Sequence, residues 1–288
     1  MVAFGQKALS YYINIRYWVM MKNSRGFFNK IFLVRVLIVM GAILLLQGGI
    51  NFLYPQQVDF YTFKVLESYP HDRSAYTQGL FFHNNELYES CGQYGSSSFR
   101  KNELSTGRVL KRMDFDKKYF AEGACVLNGN LYVLTWQENK CFVYDINTFK
   151  FLGELWNPRE GWGLTTDGKQ LIMTDGTSML YFLDPMTFNV VDKRQVTIKG
   201  KPLQYLNELE YINGEIWANV YGDDSIVIIN PQTGKVRGVV DCRNLLPRSL
   251  IKSTTDVLNG IAYNPTDKSI YLTGKNWPKL YKIELVKK

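Results

Sequence analysis

The feature that most constrains this chain is a turn that keeps returning. Asn84-Asn85-Glu86, Asn128-Gly129-Asn130, Asp167-Gly168-Lys169 and Asn213-Gly214-Glu215, with a fifth copy at Asp267-Lys268, recur at intervals of about 39 to 54 residues. Asn-Gly and Asp-Gly supply the positive φ angles that tight hairpins need. Each turn introduces a strand pattern: Leu87–Ser90, Leu131–Trp136, Gln170–Thr174, Ile216–Val220 and Ser269–Thr273. A polar loop and a second strand pattern follow each, at Ser98–Leu104, Phe142–Ile146, Leu180–Leu183, Ile226–Ile229 and Leu280–Leu285. A period of this length predicts an all-β, five-bladed β-propeller over residues 59–288. The fifth copy is one strand short before Lys288, and Tyr61–Tyr69 is a strand pattern with no partner of its own. It is expected to complete that copy, close the ring and remove an exposed edge. The extra length at Asn244–Thr255 reads as a short helical or loop insertion. A two-sheet sandwich is the alternative fold, but its strands would not repeat with internal similarity.

The formal charge of +8 suggests nucleic acid until it is located. Lys7, Arg16, Lys22, Arg25, Lys30 and Arg35 all precede Tyr54, and no Asp or Glu does, which leaves about +2 for the remainder. A nucleic-acid surface is therefore not expected. Val36–Leu46 is uninterruptedly apolar and, with its flanks, residues 31–54 are long enough to cross a bilayer as a transmembrane helix, which takes roughly 20 residues. With positive charge only before it, the basic segment 1–30 is expected to stay cytoplasmic and residues 59–288 to be exported to a periplasm or secretory lumen. Either the apolar run is retained as a signal anchor, or it is a cleaved signal peptide whose true start is Met20 or Met21. Four cysteines (Cys91, Cys125, Cys141, Cys242) form no CxxC pair, and His71 and His83 are the only histidines. A zinc site is poorly supplied, and no metal or other cofactor is expected. Cys125 and Cys141 fall on the first and third strands of one blade, where a disulfide would be strained.

In a propeller, loops at one end of the central channel converge, so a site is assembled from residues distant in sequence. Polar and aromatic residues recur at equivalent strand openings: Tyr76-Thr77-Gln78-Gly79, Phe120-Ala121-Glu122-Gly123, Glu160-Gly161-Trp162-Gly163, Leu206-Asn207-Glu208 and Leu258-Asn259-Gly260. Gln78, Glu122, Trp162, Asn207 and Asn259 are thereby expected on channel-lining inner strands, an odd set for a filler core. A hydrogen-bonded belt that only fixes the blades is the plainer explanation for any one of them.

These strings carry a resemblance. Tyr76-Thr77-Gln78-Gly79-Leu80, Tyr94-Gly95-Ser96-Ser97-Ser98, Gly161–Gly168, Leu206–Tyr211, Leu258–Tyr263 and Thr273–Tyr281 run in order over the exported region. Together they make the chain similar to the glutaminyl-peptide cyclotransferases of the plant and bacterial type, which are five-bladed propellers. The resemblance implies a metal-independent enzyme that cyclises N-terminal glutamine of peptides and proteins to pyroglutamate with release of ammonia. It implies Glu122 as the catalytic proton carrier, its pKa raised by burial beside Phe120 and Trp136. Gln78, Asn207 and Lys275 would hold carbonyls or the developing oxyanion, and Tyr76, Phe120, Trp136 and Trp162 would wall the glutamine pocket. Tyr221 stands where the family usually has Trp, so the wall persists with a changed shape. A monomer acting on peptides beginning with Gln, tethered to the membrane, is the expectation. The reading from another class is a tethered propeller that binds a partner and catalyses nothing, and a cation-dependent lyase would want more inward carboxylates than are present.

Overall fold

A computed structural model describes residues 56–288, and in them strand follows strand. The basic segment 1–30 and the apolar run 31–54 lie outside the described residues. Among the described residues, no helix is long and apolar enough to cross a membrane.

The chain opens with β1 (Asp59–Pro70), then makes a first sheet from β2 (Thr77–His83), β3 (Glu86–Cys91), β4 (Ser98–Asn102) and β5 (Val109–Asp114). A second sheet follows from β6 (Ala121–Leu127), β7 (Asn130–Thr135), β8 (Lys140–Asp145) and β9 (Phe151–Trp156). The third is built of β10 (Leu164–Thr166), β11 (Leu171–Met173), β12 (Met179–Leu183) and β13 (Val190–Gln195). A two-stranded hairpin, β14 (Thr197–Ile198) and β15 (Lys201–Pro202), precedes β16 (Leu206–Ile212), β17 (Glu215–Val220), β18 (Ser225–Ile229) and β19 (Val236–Asp241). Last come β20 (Leu258–Asn264), β21 (Ser269–Gly274) and β22 (Lys279–Lys287). Within each sheet, sequential strands pair antiparallel.

The final group is completed by β1, which pairs antiparallel with β22 from Tyr61↔Lys287 to Pro70↔Lys279. That is the closure expected for Tyr61–Tyr69. One feature was not expected: β1 also runs parallel to β19, at Asp59↔Gly238 through Tyr61↔Val240, fusing the last two groups into one eight-stranded sheet. The segment 244–255 carries one turn of 3₁₀ helix, Arg248–Leu250. All four cysteines are buried thiols.

The alternation of side chains explains how the sheets stack. Leu131 and Val133 face the first sheet in a cluster with Phe81, Tyr88 and Phe99, whereas Tyr132 and Leu134 on the same strand face Leu171 and Met173 of the third. Trp217 packs toward Leu258, Ile261 and Leu272, and its neighbours Ile216 and Ala218 pack toward Ile172 and Leu180. Leu80 and Leu87 meet Tyr271 and Leu280, so the first sheet closes on the last. Both faces of such strands are core, and successive residues serve opposite neighbours. The inner strands touch in the cyclic order β2, β6, β10, β16, β20 and back to β2. The result is an all-β, propeller-like ring.

Burial runs from the inside outward. β2 and β6 are almost wholly buried, whereas β5, β9 and β13 are half or more exposed. A buried charged network seals the joint where the chain enters the ring. His71, just after β1, places Nε2 2.9 Å from Glu89 Oε1 and Nδ1 2.7 Å from the Trp277 carbonyl. Glu89 also accepts from Thr77 Oγ1 and Asn102 Nδ2. Burial works to lower the His71 pKa, but the Glu89 charge and its hydrogen bond raise it on balance. For Glu89, burial works upward and His71 holds it below its ordinary value.

Candidate active site

In β2, β6, β16 and β20 the ladder slips at one place. The register shifts between Thr77 and Gly79, between Ala121 and Ala124, between Leu206 and Leu209, and between Leu258 and Ile261. Gln78, Glu122, Asn207 and Asn259 sit at these four bulges, each without a cross-strand partner. A bulge breaks the strict alternation of a strand and re-aims one side chain. Here it allows Gln78, Glu122 and Asn207 to turn from core-forming strands into one cavity.

The residue after the bulged side chain is where neighbouring backbones press together. A Cβ on Gly79 would lie 2.7 Å from Ala124 N, and one on Gly123 2.5 Å from Leu164 N. Asn207 is followed by Glu208 instead, and that carboxylate accepts from Leu80 N at 3.2 Å and Ile261 N at 2.8 Å. These are donors that the slipped ladders of β2 and β20 present to the channel, so Glu208 satisfies backbone the bulges leave open. Two residues on, Glu210 accepts from Tyr263 N at 2.9 Å.

Trp162 departs from the expected inner-strand position. It precedes the three-residue β10, and its N–H bonds the Thr174 carbonyl at 3.1 Å while Gly163 N bonds Thr174 Oγ1 at 2.8 Å. That hydroxyl donates to the Asn207 carbonyl at 2.8 Å, joining the third sheet to the fourth at the site. Asn259 does not reach the cavity. It is fully buried and donates to the Thr77 carbonyl at 2.9 Å and Gln78 Oε1 at 3.3 Å.

Tyr76, Gln78, Phe120, Glu122, Trp136, Trp162, Asn207, Tyr221 and Lys275 line one cavity of about 250 Å³. A tenth residue, Gln93, also lines it and was not anticipated. Its φ of 136° is a conformation rarely held by a residue with a side chain, and nothing in the string Gly92-Gln93-Tyr94 announces that. Phe120 stands at the wall with Tyr76 and Trp136 edge-on, ring centroids 6.2 and 5.6 Å away. Trp162 meets Tyr221 edge-on at 5.7 Å. Space for the Phe120 ring comes from Gly92, where a Cβ would lie 2.2 Å from Phe120 Cε1.

Two buried ionisable groups line the cavity. Glu122, 5% exposed, accepts one hydrogen bond from a described side chain, Gln78 Nε2 at 2.9 Å. Because Asn259 donates to Gln78 Oε1, the amide must present its N–H₂ to Glu122. Lys275, 3% exposed, has its Nζ 4.7 Å from the centre of the Tyr76 ring and 5.1 Å from that of Tyr221. Among the described residues it forms no salt bridge. Burial pushes the Glu122 carboxyl well above its ordinary value, against the pull of Lys275 and with help from Glu160 and Glu138. Burial likewise lowers the Lys275 pKa, opposed by Glu122 and Asp256. Burial thus favours the uncharged form of both groups, the kind of perturbation that marks functional sites.

A buried carboxylate alone is weaker evidence for catalysis than the sequence suggested. Glu89, Glu208 and Glu210 are buried too, yet each is held by two or more hydrogen bonds. Glu122 differs in having a single amide contact and a cavity in front of it. Among the described residues, no three His, Cys, Asp or Glu side chains are grouped so as to hold a metal ion.

Comparison with known proteins points to one family. The family model for glutamine cyclotransferase matches residues 37–285. A glutaminyl-peptide cyclotransferase of Arabidopsis thaliana is 45% identical over 227 residues, 77% of this chain and 71% of that protein. The crystal structure of Myxococcus xanthus glutaminyl cyclase superposes with a TM-score of 0.76 at 33% identity, over 81% of this chain and 100% of that one.

Proposed function

We infer the chemistry of the cavity from the premise that the chain belongs to the glutamine cyclotransferase family: it is a glutaminyl-peptide cyclotransferase, closing an N-terminal glutamine to pyroglutamate and releasing ammonia. Nucleophile and electrophile lie in one substrate, so the protein has chiefly to fold them together and move protons. In the proposed mechanism the neutral α-amine attacks Cδ of the γ-carboxamide. Glu122, as carboxylate, takes the proton from the attacking nitrogen and returns it to the departing one, so that the C–N bond breaks with ammonia as the leaving group. Lys275 and Asn207 stand to balance charge on the carboxamide oxygen in the tetrahedral intermediate. Gln78 Nε2 holds the Glu122 carboxyl at Oε1. The aromatic wall excludes water and grips the substrate's methylenes.

The observation that carries this assignment is Glu122 itself, buried, raised in pKa and lining the same cavity as Lys275, which forms no salt bridge among the described residues. We also propose a five-bladed count for the ring, retention of residues 31–54 as a membrane anchor with the ring on the exported side, a monomer, and metal-independent catalysis. The test is cyclisation of a short peptide with N-terminal Gln by the full chain, with and without a chelator. Activity should survive the chelator and fall about 10²–10⁴-fold in Glu122→Gln. A folded wild-type chain with no activity would sink the assignment.

A further inference from the structure

The aromatic wall is two rows rather than one. Tyr76, Phe120 and Trp136 form the first, and Trp162 with Tyr221 forms the second. The rows are joined at one end by Lys275, whose ammonium lies over both Tyr76 and Tyr221. At the other end they are joined by a residue outside the cavity lining. Glu160 Oε2 accepts from Trp136 Nε1 at 2.9 Å and from Trp162 Nε1 at 3.0 Å, while its Oε1 accepts from Gln137 Nε2 at 2.9 Å.

We propose that Glu160 is the positioning residue of the pocket: one carboxylate oxygen sets the separation of the two indoles and so the width of the slot that receives the glutamine side chain. The proposal rests on the assignment of the cavity as the glutamine site. Indole N–H is a donor only, so a shared acceptor fixes where both rings lie relative to one another. Hydrogen bonds to an ionised acceptor are the stronger kind. Burial works to raise the Glu160 carboxyl, and the bonds from Gln137, Trp162 and Trp136 hold it below its ordinary value, so it stays an acceptor. The backbone is pinned at the same place. Gly161 N lies 2.9 Å from the Trp136 carbonyl, and a Cβ on Gly161 would come within 2.5 Å of the Thr135 carbonyl oxygen. The carboxylate therefore cannot drift away from the indoles it joins. Neither donor has another hydrogen-bond acceptor among the described side chains.

The experiment is steady-state cyclisation of a short N-terminal Gln peptide by the full chain with Glu160→Gln or Glu160→Leu, with thermal unfolding and tryptophan emission recorded on the same preparations. An amide oxygen still accepts both indole N–H groups and a Leu side chain accepts neither. Glu160→Gln should keep KM within about three-fold of wild type, whereas Glu160→Leu should raise KM about ten-fold or more, lower kcat by less, and alone shift the emission. An unchanged KM in Glu160→Leu, a loss confined to kcat, or equal losses in both variants overturns the proposal. Should Glu160→Leu fail to fold, the deciding measurement is Glu160→Gln in a Trp136→Phe/Trp162→Phe background. With both donors gone it must change KM no further, and an additional loss overturns the proposal. A folded but inactive wild type refutes the assignment of the cavity, while the emission arm still reads the clamp.

Discussion

Glu210 gives the sharpest quantitative test of how the channel is built. Its carboxyl, pushed up by burial against hydrogen bonds from Tyr263 N, Tyr211 N and Thr165 Oγ1, has its pKa at about 8, from an ordinary 4.5. A group that binds its proton more tightly when folded makes the fold lose stability as pH rises from the unfolded to the folded value. Integrating the linkage between pH 5 and 7 with those two values gives a loss of about 2.5 kcal/mol from this one side chain. For a domain of this size that corresponds to about 5–10 °C in Tm. Glu210→Gln replaces the protonated carboxyl with a neutral isostere that can still accept from Tyr263 N. Burial raises Glu122 and Glu208 in the same sense, and His71 contributes above its ordinary 6.5, but these are common to both proteins. Losing the Glu210 charge also relaxes Glu208, in the same direction. The assay is thermal unfolding of both proteins at half-unit steps from pH 5 to 7. The variant should gain on wild type steadily across that range. A difference between the two curves that stays flat refutes the reasoning, because it would mean that Glu210 titrates alike folded and unfolded.

Two further outcomes follow from the same geometry. His71→Ala leaves Glu89 buried without its cation, which typically costs about 3–5 kcal/mol, so Tm should fall by more than about 6 °C while the KM of the remaining folded enzyme is unchanged. In wild type the His71 part of this stability is complete below pH 6.5 and declines as pH rises through its raised folded pKa, which calorimetry of both proteins at pH 6 and 9 checks. Gly92→Ala drives a methyl into Phe120, whose ring must move out of the wall; KM should rise about ten-fold for a stability cost of about 1–3 kcal/mol, read by kinetics and by unfolding.

The ring was legible because its turns are chemical signals: Asn128-Gly129 and Asn213-Gly214 have φ angles of 52° and 79°, and 51° and 88°, as such hairpins require. The strands they introduce are buried on both faces and read as apolar runs. The outer strands were not legible. β5 (Val-Leu-Lys-Arg-Met-Asp) and β13 (Val-Val-Asp-Lys-Arg-Gln) are exposed and charged, and their pairing comes from the strand already in place beside them. The hairpin of β14 and β15 is two residues to a side and leaves no period to detect. At the site, residues that open the inner strands could be found because Gln, Glu and Asn are anomalous there. Gln93 could not, since backbone strain has no signature in residue type. Glu160 was visible in its string, but its partner Trp136 comes from another sheet, and the indole separation that joins them exists only in three dimensions. Asn259 was placed with the others yet serves Gln78, because its amide finds partners before it reaches the cavity.

The four slipped registers have a consequence for how such a protein changes over time. A side chain with no cross-strand partner is not part of the bookkeeping that decides which strand pairs with which. Exchanging Gln78 or Asn207 therefore alters what the cavity can bind while leaving the ladders around it intact, whereas exchanging Leu80 or Leu209 two places along disturbs two sheets at once. The two can thus change separately: the paired positions hold the ladders, and Gln78 and Asn207, unpaired and lining the cavity, can be exchanged without them.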